Sequence, residues 1–97
     1  MKKAEAEHLS KVAALGCIAC KNQGFPDTPA EIHHIRTGQG KKRASHYEVI
    51  GLCPQHHRTG GFGIAIHAGQ KTWEAAYGKE LELLAQVRRE LGIEEAA

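Results

Sequence analysis

Leu52-Cys53-Pro54-Gln55-His56-His57 is the stretch on which the fold turns. Cys53 and His56 stand at a spacing from which one tight bend offers two metal ligands, and the other two cysteines repeat it as Cys17-x-x-Cys20. Zinc takes four tetrahedral Cys or His ligands, so Cys17, Cys20, Cys53 and His56 form a candidate structural zinc site clamping the base of whatever lies between the pairs. The competing reading, three buried thiols acting as small hydrophobes, leaves two such spacings to accident. Three cysteines cannot pair off, and the charged segment from Met1 to Leu15 lacks the apolar core of a signal peptide, so a disulfide framework is not expected. A chain of 97 residues buries little apolar surface on folding, and a metal staple would make up the shortfall.

Outward from the cysteines, the pattern predicts an α+β domain spanning residues 1–97, with a core of about 17–78 and a packing helix over 79–97. Ala4 to Leu15 is rich in Ala, Glu, Lys and Leu, and Gly16 stands where a helix would stop. Gly24, Pro26, Asp27 and Pro29 break regular structure, which places Cys17 and Cys20 in a knuckle-like turn. Glu31–Ile35 and His46–Ile50 read as two strands of a hairpin. Gly60–Gly63 reads as a flexible loop. Trp73, Ala76, Tyr77, Leu81, Leu84, Val87 and Leu91 recur at helical spacing, with Gly78 as a break and Gly92 as a stop. Trp73 and Tyr77 are read as core packing rather than as bases' stacking partners.

The formal charge of +2 is unevenly spread. Residues 33–71 carry six Lys or Arg against Glu48 alone, or +5, whereas residues 74–97 carry three against six, or −3. A basic middle fits a polyanion, and Arg36, Lys41, Lys42, Arg43 and Arg58 are the candidate phosphate contacts. No apolar run approaches a membrane span, so a soluble protein is expected.

Outside the zinc set, five histidines crowd into residues 33–67: His33, His34, His46, His57 and His67. Neighbours on a strand point to opposite faces, so His33 and His34 are expected to do different work. If His56 faces the zinc, His57 turns elsewhere, toward the hairpin. A divalent ion on neutral imidazoles can stabilise a phosphodiester's leaving oxygen, while an unligated histidine near neutral pKa removes a proton from water. Imidazole ligation leaves Mg, Mn, Zn and Ni open and argues against a site strict for Mg, which favours oxygen.

Glu31-Ile-His-His-Ile-Arg36, Arg43-Ala-Ser-His-Tyr47, Leu52-Cys-Pro-Gln-His-His57 and Trp73-Glu-x-x-Tyr-Gly78 together resemble the zinc-containing HNH nucleases with the ββα-metal fold, most closely the bacteriophage Ref family of RecA-dependent nucleases. The resemblance implies a metal-dependent DNA endonuclease, linked to recombination and to a RecA-type filament, working in the cytoplasm of a bacterial host. It implies His33 as a ligand of the catalytic metal, His34 as the general base and His57 as a second metal ligand. The family's central Asn is missing between His34 and His57, and His46 is the candidate replacement that orients the base; Glu48 stays open beside it. His67 has two readings, a third ligand or a surface histidine. A non-catalytic zinc module binding nucleic acid or protein accounts equally for the cysteines and the basic loop, but not for the gathered histidines. A redox reading of Cys17 and Cys20 lacks the βαβ setting it needs.

Overall fold

A computed structural model describes residues 1–40 and 45–93. Its order is α1 (Lys3–Ala14), α2 (Ile18–Asn22), β1 (Glu31–His34), β2 (Val49–Leu52), a π-helical turn (Gln55–Thr59), a 3-10 turn (Ile66–Ala68), α3 (Gln70–Tyr77) and α4 (Glu80–Leu91). This is a small α+β fold around a two-stranded antiparallel hairpin, as the sequence predicts.

Two local expectations need correcting. The stretch after Cys17 is not all turn, because Ile18 and Ala19 are buried and the short α2 carries them into the core. The second strand is Val49–Leu52, with His33 opposite Ile50 and His34 opposite Val49, so His46 lies in the turn before the strand. All four residues of β2 are buried. The cause is tertiary: α1, α2 and α4 all pack on this strand. Gly51 makes the contact possible, since a Cβ there would stand 2.8 Å from the Gly16 carbonyl oxygen and 3.2 Å from the Ala30 Cβ.

The core joins Val12, Ile18, Ile35, Val49, Ile50, Leu52, Ile66, Trp73, Leu83, Leu84 and Val87. Trp73 is fully buried and Tyr77 packs against the same cluster, so the packing reading of both aromatics is borne out. Leu81, by contrast, is half exposed, and Leu83 takes the inward position. At the start of α1 the Glu5 carboxylate accepts the Lys2 amide at 2.8 Å, supplying one of the donors a helix start leaves unpaired. At the end of α4, Gly92 is left-handed at φ 73°, and the Ile93 and Gly92 amides return to the carbonyls of Arg88 and Arg89. Among the described residues, no helix is long and apolar enough to cross a membrane.

Candidate metal centres

Cys17 and Cys20 lie just before the hairpin, and Cys53 and His56 just after it, so the pairing of β1 with β2 brings the two turns together. The Nδ1 atom of His56 lies 3.6, 3.4 and 3.1 Å from the sulfurs of Cys17, Cys20 and Cys53, and the Cys20 and Cys53 sulfurs are 3.9 Å apart. A tetrahedral ion with S ligands at about 2.3 Å and N at about 2.0 Å has edges of roughly 3.5–3.8 Å. The donor set and spacing therefore fit a four-coordinate ion of the zinc type. The amide of Cys20 points at the Cys17 sulfur at 3.4 Å, and that of His56 at the Cys53 sulfur at 3.5 Å, so each turn aims its own backbone at its first thiol. Burial, then the adjacent Cys17 thiol, pushes the Cys20 thiol up to about 12. Crowded thiols hold their protons until a cation arrives to stabilise the thiolates. Burial also lowers the pKa of His56, favouring the neutral ring that ligation requires.

The π-helical turn separates the work of His56 and His57. Its wide turn closes with the Gly60 amide on the Gln55 carbonyl at 3.0 Å. His56 faces the sulfurs, and His57 turns the other way, toward β1, as expected. There it meets His33 and His67: ring centroids are 5.1 Å apart for His33 and His57, 5.2 Å for His33 and His67, and 4.5 Å for His57 and His67. One nitrogen from each of the three rings lies within 4.8 Å of the other two. The Nε2 atoms of His57 and His67 approach to 2.9 Å, close to the roughly 3.0 Å edge of an octahedron with bonds of about 2.1 Å. His67 is thus the third member of a cluster that could hold a metal, although its residue as a whole is exposed.

Two carboxylates stand behind this triad, and neither was picked out from the sequence. Glu31 accepts from His57 Nδ1 at 2.7 Å and from Arg58 Nε and Nη2 at 2.7 and 3.1 Å. The Arg58 guanidinium, then His57, holds the Glu31 carboxyl down at about 2. Glu80, fully buried at the start of α4, takes His33 Nε2 at 2.6 Å. Burial opposes the Glu80 charge, but hydrogen bonds from His33 and from Thr37 and Arg36 outweigh it and bring its pKa to about 2. His33 Nδ1, the other ring nitrogen, is buried without a hydrogen-bond partner. A buried ring nitrogen with no hydrogen-bond partner, beside two further imidazoles, fits a metal ligand. Desolvation, then His57 and His33, lowers the His67 pKa toward the neutral ligand form.

His34 occupies the opposite face of β1 and forms a separate pair. Its Nε2 lies 3.0 Å from His46 Nδ1, with ring centroids 5.1 Å apart. Burial first, then His46 and His33, lowers the His34 pKa. Glu48 is engaged elsewhere, accepting from the Gln39 amide at 2.7 Å. Of the five candidate phosphate contacts, Lys41, Lys42 and Arg43 lie outside the described residues. Arg36 and Arg58 are exposed; Arg36 reaches the Gly40 carbonyl at 3.0 Å, and Arg58 is forked onto Glu31.

A family model described as recombination enhancement, RecA-dependent nuclease matches residues 3–92. The chain belongs to that family. No curated protein matches it. The matched span takes in both clusters and α1 to α4, Glu80 included. Membership places the chain among nucleases of recombination enhancement, in agreement with the Ref-family part of the resemblance drawn from the sequence.

Proposed function

We propose that the chain is a metal-dependent DNA endonuclease of the HNH type, a single domain over residues 1–97. Cys17, Cys20, Cys53 and His56 hold a structural Zn2+, and His33, His57 and His67 hold the catalytic ion. The observation that carries this reading is the convergence of three imidazoles, one with a buried and partnerless nitrogen, beside a second histidine pair. A divalent ion bound there would polarise a phosphoryl oxygen and stabilise the leaving 3′-oxygen.

The remaining work falls to the chain. His34 is the general base: its Nε2 lies 3.0 Å from His46 Nδ1, and the tautomer that donates Nε2–H to His46 leaves Nδ1 to take the proton from water. The downward shift of His34 supports this, because it keeps the ring unprotonated at neutral pH. His46 orients that base in place of the family's central Asn. Arg36, Lys41, Lys42, Arg43 and Arg58 hold backbone phosphates, so binding weakens steeply with salt and discriminates little between sequences. The partners are DNA and, through the family, a RecA-type filament in the cytoplasm of a bacterial or phage-infected cell.

The test is cleavage of supercoiled, linear and single-stranded DNA with Mg2+, Mn2+, Zn2+ or Ni2+, with and without a recombinase filament. Cutting that needs added metal and disappears in His33→Ala supports the reading. Protein that binds two ions and cuts no DNA form under any of these conditions sinks it.

A further inference from the structure

We propose that Glu80 is a positioning residue of the histidine site: its carboxylate holds the proton of His33 on Nε2 and so keeps Nδ1 bare for the cluster. The proposal rests on the three-histidine reading above. The two oxygens of Glu80 have different surroundings. Oε1 accepts from the Thr37 hydroxyl at 2.7 Å, the Thr37 amide at 3.1 Å, the Arg36 amide at 3.2 Å and the Gln70 side-chain amide at 3.3 Å. Oε2 meets His33 Nε2 at 2.6 Å. A carboxylate only accepts, so the His33 nitrogen facing it must be the donor, and a neutral ring then has its lone pair on Nδ1.

The fork is itself held in place. Glu80 is the first residue of α4, and its amide donates to Glu74 Oε2 at 2.8 Å, tying the helix start back to α3. The segment after β1, the side chain of Gln70 in α3 and the start of α4 therefore meet at one buried carboxylate, which makes the C-terminal helices part of the site. His57 repeats the arrangement at the surface, donating Nδ1–H to Glu31 and leaving Nε2 toward His67.

The asymmetry of Glu80 gives an isosteric test. In Glu80→Gln the donors around Oε1 keep the amide oxygen there, so the NH2 group lands against His33 Nε2. Two donors cannot face each other, and His33 must carry its proton on Nδ1, the nitrogen the cluster needs bare. Thr37→Val is the control: it disturbs the same pocket without touching His33.

The experiment records long-range 1H–15N spectra of the histidine rings in protein carrying one equivalent of Zn2+, followed by titration with Ni2+. Wild type and Thr37→Val should show the Nε2–H form of His33, and Glu80→Gln the Nδ1–H form with Ni2+ affinity lowered about 10–100-fold. Circular dichroism establishes that each variant is folded. A folded Glu80→Gln that keeps Nε2–H, or that inverts the ring yet binds Ni2+ within about twofold of wild type, overturns the proposal. Wild type showing the Nε2–H ring but taking up no second ion supports the proton assignment and sinks the metal-site reading instead.

Discussion

The cysteine cluster and the histidine cluster lie on either side of the same π-helical turn, with His56 serving one and His57 the other, yet they are assembled differently. Cys17 with Cys20 and Cys53 with His56 are each preformed by a single bend, and the hairpin has only to bring two bends together. The histidines come from β1, the π-helical turn and the 3-10 turn, and their supporting carboxylates come from β1 and α4. The donors of the first cluster are set by their own turns; those of the second must be held by other elements. An ion in the first would stabilise the fold directly, whereas the second is aimed by a fold that already exists.

The sharpest way to break this comparison is to remove a ligand from each side. Cys53→Ala, or a strong chelator, should abolish cooperative unfolding and leave a largely unstructured chain in circular dichroism, because structural zinc contributes on the order of 10 kcal/mol in small domains. His33→Ala should fold at lowered stability, because it leaves Glu80 Oε2 unpaired, and bind one ion rather than two. If both substitutions unfold the chain, or neither does, the division between the clusters is wrong.

Next in size is His34→Ala, expected to lower cleavage by about 10²–10⁴-fold while the metal stoichiometry by plasma emission stays at two. His46→Ala should lower it less if, as proposed, His46 acts on the base and not on the substrate. Equal losses in the two variants would reassign the roles within the pair.

Gly51→Ala tests the joint between the regions. The added methyl group meets the Gly16 carbonyl oxygen at 2.8 Å and should cost about 1–3 kcal/mol in denaturant unfolding. A denaturation curve unchanged from wild type would show that the end of α1 does not press on β2 as closely as described. Arg58→Ala should have the smallest effect on stability, because its pair with Glu31 is largely exposed. Its contribution to DNA binding is read separately, as a shallower dependence of affinity on salt.

How much of this was legible follows from the same contrast. The cysteine pairs, the hairpin, α1 and the Gly78 and Gly92 boundaries were readable because each is a local pattern, a spacing or a periodicity within a few residues. The opposite facing of His33 and His34 was readable for the same reason, since the strand's period of two fixes it. The register was not: His46–Ile50 alternates well enough for a strand, but burial of β2 by α1, α2 and α4 selected Val49–Leu52 instead.

The histidine site was half legible. Its residue types and crowding were plain, but the two readings of His67 could be narrowed only by the chain's return past the Gly60–Gly63 loop, which brings it to 2.9 Å from His57. Glu80 carried no usable signal, being one of several acidic residues in an acidic C-terminal segment that reads as a solvated helix. Its role depends on a carboxylate from residue 80 meeting an imidazole from residue 33, and no local pattern encodes that distance. By itself, then, the sequence determined which donor atoms exist and which of them a single turn can pair. Tertiary structure decided which distant groups share a buried space, because low dielectric and unmet hydrogen bonds act only once the chain has closed around them.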